Sequence, residues 1–460
     1  MQSERTSEVL HTRRVVTRVA VNFSDRILLW NEISLDTNAL DYVRPVNPAT
    51  PFHQEFGPHR SSRAMAVVQL AVFEVVNAKE GAYKSYTGFK TADDDWSRDA
   101  AVAQAAHDAL VALYPPQTPN LDSLLASDLL NVPGTQRDIA RGRAVGAAAY
   151  VSVVNKLGAD NTTLKEPSIP ADYQPSHAIG EWDVDPVSQL MVALGGNWTK
   201  VTPLTFSNQA RFRPPPPPAV GSAAYNTAFQ GVKNLGGDPL QGTPTTRTNT
   251  QSFLGKFWSY DGTPGLCAPP RLYNQIARQL AIDHGIVQPG KLARFLAQIN
   301  VAMADAAISA WEAKYFYKYW RPVTGIRYPG QPGQDPAWYP LGAQATNTGG
   351  PNITPPFPAY PSGHAVFGGA LFEVLRAYVP DATPFTFLSD EFNGKNKDVY
   401  GYVRPAQPAQ FSSLSDAEKS NGDSRIWLGV HWQFDSDVGT LQGNKVGRHV
   451  LANFAQPVGS

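Results

Sequence analysis

Apolar side chains recur at helical spacing over residues 63–79, 98–113, 136–156, 224–234, 270–284, 290–319, 364–379 and 438–453, and proline-rich chain separates these segments. No region alternates apolar and polar residues persistently enough for a sheet, so the spacing predicts a mainly α protein. Proline fixes φ and removes a backbone donor. The stretches 160–185, 202–220 and 329–361 are therefore expected to be extended coil or polyproline II lying over the helices. Five consecutive prolines, 214–218, read first as a rigid loop and only second as a motif for docking a partner. No fixed-period repeat, charge block or shift of composition divides the chain. Residues 1–460 are expected to form one large helical domain with long proline-rich loops.

Charge narrows the function classes. With 39 Lys+Arg against 39 Asp+Glu, nothing overall draws the chain to nucleic acid or an acidic membrane surface, so any anion site must be local. The longest apolar run, 144–151, falls far short of the ~20 residues that span a bilayer, and a soluble protein is expected. The single cysteine, Cys267, excludes an internal disulfide framework and a zinc or iron–sulfur site built from several thiolates of one chain; a bridge between chains stays open. Near the N-terminus Arg13, Arg14 and Arg18 interleave with Val15, Val16, Val19 and Ala20 and no apolar h-region follows, so no secretory signal is read. Cytoplasmic and secreted locations both stay open. The sequons at Asn22, Asn161, Asn197 and Asn352 matter only in a host that glycosylates.

Three blocks place polar residues where the helical pattern predicts burial. In WEAKYFYKYWRP (311–322), Lys314 and Arg321 stand seven residues apart, which on a continuing helix puts both cations on one face. Lys318 on that face reads as a snorkelling surface lysine. In PPFPAYPSGHAVFGGA (355–370), Pro361 stops any preceding helix, Ser362 is a good N-cap and Gly363 permits close backbone approach. Free N–H groups and the positive dipole end there can seat an oxyanion; read alone, Ser362 is as well explained as a plain cap. In SRIWLGVHWQFD (424–435), a helical reading sets His431 and Asp435 at i and i+4, where the carboxylate can orient the imidazole, and Arg425 adds a third cation. A lone histidine in an apolar helix is more often a satisfied core residue. Three cations are another matter, since burying each one unpaired costs several kcal/mol, and a multivalent oxyanion such as phosphate or vanadate would offset that cost.

The pattern Lys314-x6-Arg321-Pro322, Pro361-Ser362-Gly363-His364 and Ser424-Arg425-x3-Gly429-x-His431-x3-Asp435 resembles the signature shared by vanadium-dependent haloperoxidases and type 2 phosphatidic acid phosphatases. Trp311 and Phe357 are similar to positions lining the halide side of the pocket in the chloroperoxidase branch. The similarity reaches upstream through residues 257–262 and 269–275 and, more weakly, to Leu29-Trp30-Asn31. This resemblance implies two four-helix bundles and vanadate as cofactor, with no haem and no nucleotide. It implies His431 as the axial vanadium ligand and His364 as acid/base near the opposite axial oxygen. Lys314, Arg321, Ser362, the Gly363 N–H and Arg425 would hold the equatorial oxygens, Lys314 also polarising the oxidant, and Asp261 would pair with Arg425. Asp435 is expected to orient His431. The active site would thus be built from residues 261–435.

The activity implied is oxidation of halide by hydrogen peroxide to hypohalous acid, which then halogenates a small organic acceptor. Bromide is the expected halide, and Trp311 with Phe357 suggests chloride competence as well. No nucleic-acid or membrane partner is expected, and a homo-oligomer is left open. The alternative is an acid phosphatase using the same residues, with His431 forming a phosphohistidine and His364 protonating the leaving oxygen. A non-catalytic oxyanion-binding protein would need a missing ligand or acid/base, and none is missing. His107 is expected to be a core or helix-face histidine; His11, His53, His59, His177, His284 and His449 show no ligand spacing.

Overall fold

The computed structural model describes residues 25–43, 53–343, 347 and 350–459; the N-terminal arginine pattern, His11 and the sequon at Asn22 lie outside them. Helices α1 (Arg26–Asp41), α2 (Pro58–Glu80), α3 (Arg98–Leu113), α4 (Thr118–Leu129) and α5 (Gln136–Leu157) come first. Among them α1, α2, α3 and α5 pack as a four-helix group, with α4 against α3. Next come α6 (Ala223–Leu235), α7 (Asn249–Phe257), α8 (Pro269–Asp283), α9 (Pro289–Tyr317), α10 (Pro322–Arg327), α11 (Gly363–Arg376), α12 (Leu414–Trp427) and α13 (Gln433–Asn453). Here α9, α11, α12 and α13 form the second group, and the long helix α9 joins the two by packing on α2 as well as on α11 and α13. Strands β1 (Phe385–Phe387) and β2 (Ala409–Phe411) pair antiparallel as the one sheet among the described residues. The fold is mainly helical, as the spacing predicts, and no helix of the described residues is long and apolar enough to cross a membrane.

Local signals set the helix ends. Ser97 caps α3 by accepting from the Ala100 N–H, and Thr135 with Asp138 forms a reciprocal capping box on α5. Helix α2 begins at Pro58 instead of 63, because proline suits the first helical position and the opening turns bury His59, Ser61 and Ser62, polar residues that hide the core face from a hydropathy reading. Helix α9 stops at Tyr317, two residues early. Lys318 closes it with a left-handed φ of 49°, and Pro322 keeps Arg321 extended. Helices α1, α4, α7, α10 and α12 are not predicted by the spacing. The case of α12 is instructive: its buried residues include Ser420, Asn421, Gly422, Ser424 and Arg425, so apolar periodicity is missing from a helix that is nonetheless packed inward.

The proline run is docked within its own chain. The Tyr317 hydroxyl donates to Pro214 O at 2.7 Å, Tyr360 to Pro215 O at 2.5 Å and Tyr319 to Pro218 O at 2.8 Å. An aromatic groove with hydroxyls suits polyproline II, whose carbonyls are free of internal bonds. Tyr317 and Tyr319 lie on the chain leading into Arg321 and Tyr360 on that leading into Ser362, and the Ala359 N–H donates to Tyr319 O at 2.8 Å, so the strap ties both segments together. Replacing Tyr360 by Phe should cost about 1 kcal/mol, the net worth of one hydrogen bond, as read by denaturant unfolding.

Candidate functional site

Lys314, in the last turn of α9, is fully buried, and its ammonium donates to Pro358 O at 2.9 Å, Ala359 O at 2.9 Å and Pro361 O at 2.5 Å. Arg321 lies beyond the helix as the extended N-cap of α10. This corrects the expectation of one continuous helical face: the two cations meet because the chain turns back at Lys318. Both sit over the Phe357 ring, at 5.0 Å for Lys314 Nζ and 4.9 Å for the Arg321 guanidinium. Arg321 donates from Nε to Phe357 O at 2.9 Å and from Nη1 to Val430 O at 2.8 Å and His431 Nε2 at 2.9 Å, while Nη2 is buried without a partner.

Ser362 precedes α11 as its N-cap, yet its hydroxyl bonds to no backbone group and is itself buried and unpartnered. Its N–H donates to Asp435 O at 2.9 Å, joining the starts of α11 and α13. A Cβ at Gly363 would lie 3.5 Å from the Trp311 indole and 4.0 Å from Lys314 Cε, so glycine keeps clear the space between indole, lysine and helix N-terminus. The first N–H groups of α11 have no intrahelical acceptor and face the same way as the dipole's positive end. His364 follows, with Nε2 2.8 Å from Ser259 O. A carbonyl only accepts, so Nε2 carries the proton and Nδ1 keeps its lone pair. The peptide oxygen of His364 is fixed by Asn421 Nδ2 at 2.9 Å and the Tyr273 hydroxyl at 3.2 Å.

The third block is not one helix, which corrects a second expectation. Helix α12 ends at Trp427, Gly429 turns the chain at φ 73°, and α13 starts at Gln433. Only glycine fits at 429, since a Cβ would lie 2.6 Å from Gly236 O. His431 therefore projects from the connection, and Asp435 in the first turn of α13 reaches back to it: Asp435 Oδ2 accepts from the Trp432 N–H at 3.1 Å and lies 2.9 Å from His431 Nδ1. Because Arg321 donates to Nε2, His431 carries its proton on Nδ1 and presents a lone pair at Nε2. Arg425, in the last turn of α12, gives Nη2 to both oxygens of Asp261 at 2.8 and 2.9 Å; its Nε and Nη1 are buried and unpartnered. His364 Nε2 stands 3.9 Å from the same Asp261 carboxylate.

The chain thus brings all the expected cofactor-holding residues together. Lys314, Arg321 and Arg425 are three cations against the carboxylates of Asp261 and Asp435, every one of these side chains being buried. Burial, then the neighbouring arginines, pulls the Lys314 ammonium well below its ordinary value, although its three carbonyl acceptors require the charged form. Burial likewise draws Arg321 down and pushes Asp261 and Asp435 up. Both imidazoles are held well below the usual histidine range, first by burial and then by the cations facing them: Arg425 for His364, Arg321 and Lys314 for His431. Each buried donor without an acceptor costs about 1–3 kcal/mol, so Arg321 Nη2, Arg425 Nε and Nη1 and Ser362 Oγ together call for an acceptor-rich guest. A tetrahedral oxyanion fits that donor set. Among the described residues no group of three or more His, Cys, Asp or Glu could hold a metal cation.

Trp311 and Phe357 form one wall, ring centroids 5.0 Å apart and planes at 57°, with Phe367 behind the indole at 6.1 Å. Two supporting residues carry no sequence signal, Leu194, whose carbonyl takes the Trp311 indole N–H at 3.0 Å, and Asn421 behind His364; Tyr273, within the resembling stretch 269–275, joins Asn421 there. A carbonyl acceptor leaves no trace in sequence. The tyrosines of 311–322 beside a five-proline run were the readable signal for the strap. His107, bonded to Asp108 at 2.9 Å and Asp122 at 2.8 Å, is the helix-face histidine expected, and Cys267 is buried.

Fold and site together define a helical-bundle protein with a buried cluster of cationic donors that lack protein acceptors. Residues 294–459 match the family model described as the VCPO second helical-bundle domain. The chain is 30% identical to the vanadium chloroperoxidase of Curvularia inaequalis, over 89% of this chain and 79% of that protein. In fold it is similar to a bacterial vanadium-dependent iodoperoxidase, with a TM-score of 0.74, 23% identity and 93% and 97% of the two chains covered. A bacterial vanadium-dependent chloroperoxidase in its holo form gives a TM-score of 0.62 at 17% identity, over 90% of this chain and 96% of that one. The chain belongs to the vanadium haloperoxidase family.

Orthophosphate, a tetrahedral oxyanion without redox chemistry, should raise the melting temperature of the wild type, by an amount equivalent to about 2.7 kcal/mol at a hundredfold excess over its Kd. Arg321→Met, which removes the unpartnered Nη2, should lose most of that rise when melted with and without phosphate.

Proposed function

We propose that the chain is a vanadate-dependent haloperoxidase, oxidising bromide, and chloride as a second substrate, with hydrogen peroxide and halogenating small organic acceptors. The observation that carries this reading is the set of buried, unpartnered donors on Arg321, Arg425 and Ser362, next to an imidazole whose Nδ1–H is held by Asp435 and whose Nε2 keeps its lone pair. The net reaction is H2O2 + X− + H+ → HOX + H2O: halide gives up two electrons, the O–O bond takes them, and the proton leaves in water.

Vanadate would supply a Lewis acid that needs no change of oxidation state. His431 would ligate vanadium through Nε2, exchanging its contact with Arg321 Nη1, while Asp435 keeps the proton on Nδ1 and sets the ring plane. Arg321 Nη2, Arg425 Nε and Nη1, Ser362 Oγ and the Gly363 N–H would hold its oxygens. Lys314 would act through charge, since its three N–H groups are already held by carbonyls. Asp261 would keep Arg425 aimed inward. His364, neutral because burial lowers its pKa, would accept a proton from hydrogen peroxide at Nδ1 and return it to the departing water. Trp311 and Phe357 would seat the halide on a wall whose rings lie under Lys314 and Arg321.

Protein loaded with vanadate should brominate a phenol-red-type acceptor in the presence of peroxide. His431→Ala should abolish the activity, and His364→Ala should lower kcat by about 10²–10⁴ without preventing vanadate binding. Phosphatase turnover with no halogenation in the same assays would contradict the proposal.

A further inference from the structure

Behind the Trp311–Phe357 wall lies a loop that supplies none of the cationic donors, and one carboxylate fastens it. Glu166 Oε2 accepts from the Gly195 N–H, while Oε1 accepts from Arg60 Nε at 2.7 Å and lies 3.0 Å from His59 Nε2. Held in this way, the next carbonyl back, Leu194 O, takes the Trp311 indole N–H at 3.0 Å and the Tyr315 hydroxyl at 3.0 Å. The Leu194 N–H donates to Pro356 O at 3.0 Å, the residue before Phe357, so both rings of the wall are tied to one residue of the loop, Leu194. Contact there is tight. A Cβ at Gly195, φ 79°, would fall 2.0 Å from Trp311 Nε1, and the His59 ring packs on Trp311 at 5.1 Å and on Trp198 at 4.8 Å.

We propose that Glu166 is a positioning residue for halide selection: through the Gly195 amide it fixes the Leu194 peptide, and so sets where Trp311 and Phe357 stand. The inference rests on the haloperoxidase reading above and adds a determinant that touches neither halide nor cofactor. Replacing one carboxylate oxygen by an amide NH2 leaves either Gly195 N–H or the Arg60–His59 pair facing a donor, so the loop must shift. Such a shift acts first on the Trp311 indole, which hangs from Leu194 O, while Lys314 and Arg321 keep their acceptors on Phe357, Pro358, Ala359 and Pro361.

The test uses the vanadate-loaded full chain. Glu166→Gln should raise the bromide KM about tenfold, the usual scale for removing a supporting partner, with kcat at saturating bromide, peroxide KM and vanadate Kd all within about twofold of wild type. In ¹⁵N-labelled protein the Trp311 indole resonance, identified by its loss in Trp311→Phe, should move in Glu166→Gln. An unchanged bromide KM, an unmoved indole signal, or equal weakening of bromide, peroxide and vanadate overturns the inference, the last because it marks general loosening. Wild type without halide turnover overturns the haloperoxidase reading and this inference together, whereas wild-type turnover with an indifferent Glu166→Gln overturns this inference alone. Should Glu166→Gln fail to fold, Gly195→Ala, which presses on the indole directly, carries the same expected outcomes.

Discussion

Three cations buried beside Asp261 and Asp435, with Asp185 also acting on Arg321, leave this helical core with cationic donors that the protein itself does not satisfy. Desolvating an ion costs several kcal/mol after relaxation, and breaking a buried pair costs about as much again. The chain meets part of that cost with fixed acceptors: three carbonyls on Lys314, two on Arg321, and the bidentate Asp261 on Arg425. What is left over is directional, on Arg321 Nη2, Arg425 Nε and Nη1, and Ser362 Oγ. Everything else about the site follows from keeping those donors aimed at one place.

Much of the architecture serves that aim through segments without regular structure. Lys314, Arg321 and Ser362 come from a helix end, an extended residue and a helix start, and the carbonyls of 357–361 join them. Those carbonyls are free because proline-rich chain makes no ladder of its own. The strap at 214–218, taken up by three tyrosine hydroxyls, then holds that chain against the helices. A proline run that could have served an outside partner is used internally.

How far this was legible depended on which physical signal each part carries. Helices α3 and α5, alanine-rich and of helix length, could be read from spacing nearly to their ends, and the three polar blocks marked the cradle because charge in an apolar context is conspicuous. Helix α12 was missed because its inward face is serine, asparagine, glycine and arginine. The pairings were right while their backbone was not: Lys314 meets Arg321 across a left-handed turn at Lys318, and His431 meets Asp435 across a helix start, since a single φ near 49° or 73° re-aims a chain in a way that spacing cannot encode. Glu166 and Leu194 stayed invisible because they act through peptide groups, which every residue has.

The most direct test of the account is a crystal structure of the protein soaked with vanadate, with vanadium located by its anomalous scattering. The account predicts one buried vanadium in line with His431 Nε2, its oxygens within hydrogen-bond reach of Arg321 Nη2, Arg425 Nη1 and Ser362 Oγ. Vanadium bound elsewhere, or held in the cradle with the His431 ring turned away, would contradict it.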